Sequence, residues 1–143
     1  MIALASDHGG YDLKEKVKKY LAENGLGYKD FGCYNKESCD YPDFAKPAAK
    51  AVADGICDRG IVICTTGIGV SICANKVPGI RCALCSDPVS AKLTRLHNDA
   101  NMLSIGAGII GELQALDIVD KFLNTPFSGD ERHQRRVNKM END

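Results

Sequence analysis

Short apolar runs alternate along this chain with amphipathic stretches. Residues 2–5 (Ile-Ala-Leu-Ala) are continuously apolar and read as a buried strand. Leu13, Val17, Tyr20 and Leu21 then recur at helical spacing, with Asp12 and Glu15 in capping-box positions and Gly25 as a stop. Residues 28–31 form a weaker strand, and Pro42 opens a second helix over 43–53. Residues 60–64 (Gly-Ile-Val-Ile-Cys) are β-branched and apolar without interruption, as expected of a central strand covered on both faces. The turn Thr66-Gly67-Ile68-Gly69 leads into a helix that starts near Gly69 and ends before Pro78. A fourth strand spans 81–85, and Asp87-Pro88 begins a helix reaching about Leu96. A fifth strand covers 102–105. Ile109, Leu113, Leu116, Val119 and Leu123 mark a fifth helix broken by Pro126, and a polar terminal helix runs over 131–140.

Strands alternating with helices in this way predict an α/β fold: a three-layer α/β/α sandwich around a Rossmann-like, five-stranded parallel sheet. No linker, repeat or low-complexity stretch divides the 143 residues, so one domain over 1–143 is expected. Eighteen basic against nineteen acidic side chains leave a net charge of -1, which argues against holding nucleic acid by bulk charge. The apolar runs are too short for a membrane span, and no basic segment precedes the first strand as in a secretion signal. Seven cysteines, an odd number scattered through apolar segments, fit free thiols in a reducing, cytoplasmic setting.

In parallel sheets ligands sit beyond the carboxyl ends of the strands. Three polar loops fall there: Ser6-Asp7-His8-Gly9-Gly10, the segment 64–71 (Cys-Thr-Thr-Gly-Ile-Gly-Val-Ser), and Ser86-Asp87. The second is the richest. Its glycines let backbone N–H groups approach a ligand, and the following helix adds its positive end, so an oxyanion or phosphate is favoured. A cysteine beside that helix start would carry a larger thiolate fraction. One loop could then hold both a base and the donors that stabilise the anion the base creates. The same residues also suit a tight turn with a buried free cysteine.

His8 lies between Asp7 and two glycines at a strand end, a position that favours function. His97, followed by Asn98-Asp99, could merely close a helix. Arg132 and Arg136 are four apart and share a helix face, either as a clamp for a phosphate dianion or as a solvated basic surface around His133. Cys82 and Cys85 would point to opposite faces of a strand, with no second pair at zinc spacing, so no metal is expected. A P-loop and a dinucleotide fingerprint are absent from the sequence. Asp7, His8 and Cys64 fall on the carboxyl edge of the sheet, whereas His97 and Asn98 precede the fifth strand on the opposite edge. If both sets serve one ligand, two chains must share the site.

Taken together, these motifs are similar to the ribose-5-phosphate isomerase B family, which also includes galactose-6-phosphate isomerase subunits and allose-6-phosphate isomerases. The matching segments are Ser-Asp-His-Gly-Gly at 6–10, Asp40-Tyr41-Pro42, Cys64-Thr65-Thr66-Gly67-Ile68-Gly69, Ala74-Asn75-Lys76, His97-Asn98-Asp99-Ala100-Asn101 and Arg132-His133-Gln134-Arg135-Arg136-Val137, in order along almost the whole chain. The resemblance implies a cofactor-free aldose–ketose isomerase in which Cys64 shuttles the carbon-bound proton and Thr66 helps to move protons between the oxygens. The backbone from Thr65 through Gly67, Ile68 and Gly69 would stabilise a cis-enediolate. It further implies ring opening by His97 with Asp7 assisting at the ring end, a sugar contact from Asn98, a place for Tyr41 in the lining of the sugar pocket, contacts to the phosphate or the sugar near it from His8, Arg132 and Arg136, and a homodimer, or a dimer of dimers, with shared sites completed by the terminal helix. Ribose 5-phosphate is the expected substrate. A six-carbon aldose 6-phosphate, or a non-catalytic sugar-phosphate-binding role, is the alternative; Cys64 and His97 argue against the galactose-6-phosphate subunits. Two departures stand out. Thr65 replaces the family's usual glycine, and a β-branched residue there would restrict the loop's backbone and narrow the pocket. Gly108, in Ile105-Gly106-Ala107-Gly108, replaces an arginine at the phosphate end, which bears on phosphate affinity and sugar length.

Overall fold

The computed structural model describes residues 1–142. Strands β1 (Ile2–Ser6), β2 (Tyr28–Asp30), β3 (Arg59–Cys64), β4 (Cys82–Leu84) and β5 (Met102–Gly106) form one parallel sheet in the order β2-β1-β3-β5-β4. Six α-helices accompany them: α1 (Tyr11–Glu23), α2 (Pro42–Ala53), α3 (Ile68–Asn75), α4 (Pro88–Asn98), α5 (Glu112–Asn124) and α6 (Glu131–Glu141).

The period-two alternation within each strand builds two separate cores. Leu4, Ile61, Ile63, Leu103 and Ile105 face one side, where they meet Leu13, Val17 and Leu21 of α1, Ala91 of α4, and Ile118, Val119 and Phe122 of α5. Ala3, Ala5, Val62, Cys64 and Met102 face the other, against Ala45, Ala48, Ala49 and Val52 of α2 and Val70, Cys73 and Ala74 of α3. The face of α2 toward the sheet is mostly alanine, and it meets the equally small Ala3 and Ala5 of β1. Cys82 and Cys85 fall in opposite layers, and all seven cysteines are free.

Several expected details are corrected. No capping box forms around Asp12 and Glu15, because α1 starts at Tyr11, two residues before the Leu13 start that such a box requires, with Gly10 as its cap. The acidic cap sits upstream instead: Asp7 accepts a hydrogen bond from the Gly10 N–H (3.0 Å) and closes a 3-10 turn over His8–Gly10. Lys36 (3.0 Å) pairs with the Asp12 carboxylate. Helix α3 starts at Ile68 with Gly67 as its cap, one residue before the expected Gly69. Helix α4 runs through His97 and Asn98, so His97 lies inside the last turn and Asp99, at φ 48°, takes the left-handed position after it. Ile109 lies outside α5, in a turn closed by the Ile109 N–H to the Gly106 carbonyl.

The chain leaves β1 toward β2 on one side and reaches β5 and β4 on the other side of β3. The crevice at this reversal opens beyond the carboxyl ends of β1 and β3. Among the described residues no helix is long and apolar enough to cross a membrane.

Candidate active site

The crevice is built from the loops after β1 and β3. Strand β3 ends at Cys64, and the chain turns at once. Gly67 makes the turn possible with φ 78°, a conformation that resists a side chain. A Cβ there would also lie 2.7 Å from Leu84 and 2.8 Å from the Ile105 carbonyl carbon. The turn curls back so that the Gly67 N–H points at the Cys64 sulfur (N···Sγ 3.1 Å), while Thr66 Oγ1 lies 3.9 Å from it. The Thr66 hydroxyl accepts the Ile68 N–H (3.2 Å), which leaves its own proton free to donate. Helix α3 begins here and directs its positive end toward the same space. The loop is tied to the end of β5 by Ala107 N–H to the Cys64 carbonyl (2.9 Å) and Gly108 N–H to the Thr65 carbonyl (2.8 Å).

Asp7, His8 and Tyr41 join this edge. Asp7 is buried, its N–H donating to the Ile63 carbonyl (3.2 Å). His8 is exposed, and its Nδ1 accepts the Cys39 N–H at 3.3 Å. That bond makes Nδ1 the acceptor and leaves the proton of the neutral ring on Nε2. Tyr41 lies across Gly69: a Cβ on Gly69 would come within 2.6 Å of the phenol ring. The loop carrying Cys39 and Tyr41 is anchored from below by Lys14. This lysine is fully buried, with its ammonium 2.6 Å from both Asp30 Oδ1 and the Cys33 carbonyl.

His97, Asn98, Arg132 and Arg136 gather at the other edge. The His97 ring packs on His133 (centroids 4.7 Å apart, 38° between planes). Thr94 donates to Asn98 Oδ1 (3.1 Å), and Arg81 holds the Asn98 and Asp99 carbonyls at the helix end. Arg132 and Arg136 are exposed on α6. His133 is buried between them, its Nδ1 2.7 Å from Ser128 Oγ. Burial first, then the charges of His97, Arg132 and Arg136, hold the His133 imidazole below its usual pKa. Within one chain the two groups stay apart. Cys64 pairs with Gly106 at the end of β5, whereas α4 closes just before Met102 at its start. Four residues of strand correspond to ~13 Å.

Three residues in contact with the candidate side chains escaped the sequence reading. The basic surroundings of His133 read as a solvated face, yet the i,i+4 pair His133 and Val137 is the buried stripe of α6; that spacing was the available signal. Cys39 reaches His8 across 31 residues, and Gly9 packs on Thr65 across the crevice. Neither contact leaves a local pattern.

Residues 2–140 match the ribose/galactose isomerase family model. Ribose-5-phosphate isomerase B of Escherichia coli is 46% identical over 136 residues, covering 95% of this chain and 91% of its own. The solved structure of Clostridium thermocellum ribose-5-phosphate isomerase B superposes with a TM-score of 0.96 at 51% identity, covering 98% of this chain and 94% of that one. The Mycoplasma genitalium ribose-5-phosphate isomerase B, solved with bound ribulose 5-phosphate, gives 0.93 at 39% identity, covering 98% and 93%. A full-length match at this identity leaves one conclusion: the chain belongs to the ribose/galactose isomerase family.

Proposed function

We propose that this protein interconverts ribose 5-phosphate and ribulose 5-phosphate in the cytoplasm, with Cys64 as the base. The observation that carries the reading is the Cys64 sulfur, buried at the carboxyl end of β3 and facing the Gly67 N–H within a glycine-rich turn that leads into a helix start, a setting suited to an anion. Cys64 removes the proton from C2 of the open-chain aldose, giving a cis-enediolate. It returns that proton to C1, while the proton on O2 passes to O1 with the help of the Thr66 hydroxyl. The N–H groups from Thr65 to Gly69 hold the enediolate, and Asp7, Tyr41 and Asn98 hold the sugar. His8, Arg132 and Arg136 take the phosphate, and His97 donates to the ring oxygen to open the furanose.

Because His97 and Cys64 lie on opposite edges of the sheet, this chemistry needs two copies, each lending its amino edge and α6 to the carboxyl edge of the other. Ile68 and Ile72 on α3, Leu84 on β4 at the edge of the sheet, and Val89 and Leu93 on α4 are all exposed, which supports a homodimer closing over that surface. A cavity of about 720 Å³ beside β4, lined in part by Arg81, Thr94 and Asn98, borders the same surface.

The test is turnover of a panel of five- and six-carbon aldose phosphates by the wild type and by Cys64→Ser. Turnover of ribose 5-phosphate that falls by orders of magnitude in a folded Cys64→Ser protein is the expected result. Near-wild-type rates without the thiol would remove Cys64 from the mechanism, and a wild type active only on six-carbon substrates would reassign the substrate.

A further inference from the structure

The loops after β1, β3 and β5 meet at one side chain, Thr65, directly after the proposed base. A Cβ built on Gly9 would collide with the Thr65 hydroxyl. A Cβ on Gly108 would lie 2.9 Å from the Thr65 methyl and 3.1 Å from its carbonyl oxygen. Thr65 therefore fills a slot between two residues that have no side chain, and its carbonyl is pinned there by the Gly108 N–H (2.8 Å). The side chain is nevertheless exposed on the crevice side, and among the described residues its hydroxyl has no hydrogen-bond partner.

The slot lies between the two ends of the proposed site. Cys64 is on one side, and Gly9, adjacent to His8, is on the other. A substrate whose reacting carbons sit at Cys64 and whose phosphate reaches toward His8 must run past Thr65. Neither position 9 nor position 108 can extend a side chain into this stretch, so Thr65 is the side chain that fills it between them.

We infer that Thr65 is a specificity-determining residue of the isomerase proposed above: its bulk, wedged between Gly9 and Gly108, shortens the path from Cys64 to the phosphate end and selects five-carbon over six-carbon aldose phosphates. The inference rests on that isomerase reading. Its unpartnered hydroxyl adds a hydrogen bond to the sugar, but the methyl and the branched shape carry the size selection.

The experiment compares kcat and KM for ribose 5-phosphate and allose 6-phosphate in the wild type, Thr65→Gly, Thr65→Ser and Thr65→Val. Thr65→Gly should shift the ratio of kcat/KM toward the six-carbon substrate by about tenfold or more, the scale on which a pocket senses one methylene. Thr65→Val keeps the shape and should keep the ratio within about threefold while raising both KM values, as loss of the hydroxyl alone would do. A Thr65→Gly ratio unchanged from the wild type overturns the inference, and so does a Thr65→Val shift as large as that of Thr65→Gly. Should Thr65→Gly fail to fold, Gly108→Ala decides. Alone it should lower kcat/KM for both substrates by crowding the Thr65 methyl, and in a Thr65→Ser background most of that loss should return; equal losses in both backgrounds refute the interlock. A wild type inactive on every aldose phosphate would sink the isomerase reading and this role with it, whereas an active wild type with an immovable ratio would sink only the role of Thr65.

Discussion

If Cys64 of one chain works with His97 of its partner, two inactive variants should restore each other. Cys64→Ser removes the base from the carboxyl edge, and His97→Asn removes the ring-opening acid from the amino edge, ~13 Å away along β5. That separation is much greater than the roughly 3 Å reach of a hydrogen bond, so His97 and Cys64 of the same chain cannot serve one site. Mixing the variants in equal amounts and allowing subunits to exchange makes about half of the dimers mixed, provided pairing is unbiased as in a two-fold dimer. In each mixed dimer one site carries both lesions and the other carries neither. Half of the dimers with one intact site of two gives about a quarter of wild-type activity from independent sites. The assay is ribulose 5-phosphate formation before and after exchange, with native mass spectrometry to count mixed dimers. Activity fixed at the single-variant floor while mixed dimers are abundant would refute the shared site. His97 would then have to reach Cys64 within one chain, against the register of β3 and β5.

Two further outcomes follow from the packing and the charges. Lys14→Ala should lower stability by about 3 kcal/mol, since it strips a buried ammonium from Asp30 and the Cys33 carbonyl; Asp30 keeps Lys18 and the Gly32 N–H, which places the cost near the low end for a broken buried pair. Urea unfolding measures this, and a change below about 0.5 kcal/mol would show that the pair is worth no more than a surface contact. Because His133 titrates below its ordinary range in the folded protein, the unfolded chain binds more protons as pH falls through the unperturbed value of about 6.5, so stability should decline with acid in that window. NMR titration of the imidazole and melts at pH 7.5 and 5.5 test it, and a His133→Gln protein with the same acid loss as the wild type would assign the effect elsewhere.

Much of the architecture was legible along the chain because it depends on local periodicity. The unbroken apolar run at 60–64 could only be a strand covered on both faces, and the cap-and-stop residues bounded most helices to within a few positions. The glycines after Cys64 announced a tight turn into a helix, since few other residues permit a left-handed step followed at once by a helix start. The placement of His97 and Asn98 on the opposite edge from Cys64 also followed from chain direction alone, given a parallel sheet. What the sequence could not convey was contact across strands. The sheet order that sets β1 beside β3 brings Gly9 against Thr65, though they are far apart in the chain. The turn of α6 that buries His133 on His97 is decided by Ser128 and the end of α4, not by the arginines on either side of it. Asp7 looked free for chemistry, but folding commits one of its oxygens to the Gly10 N–H. Local pattern encodes which face of an element is buried; which other element covers that face is a property of the assembled fold, and the shape of the crevice depends on it.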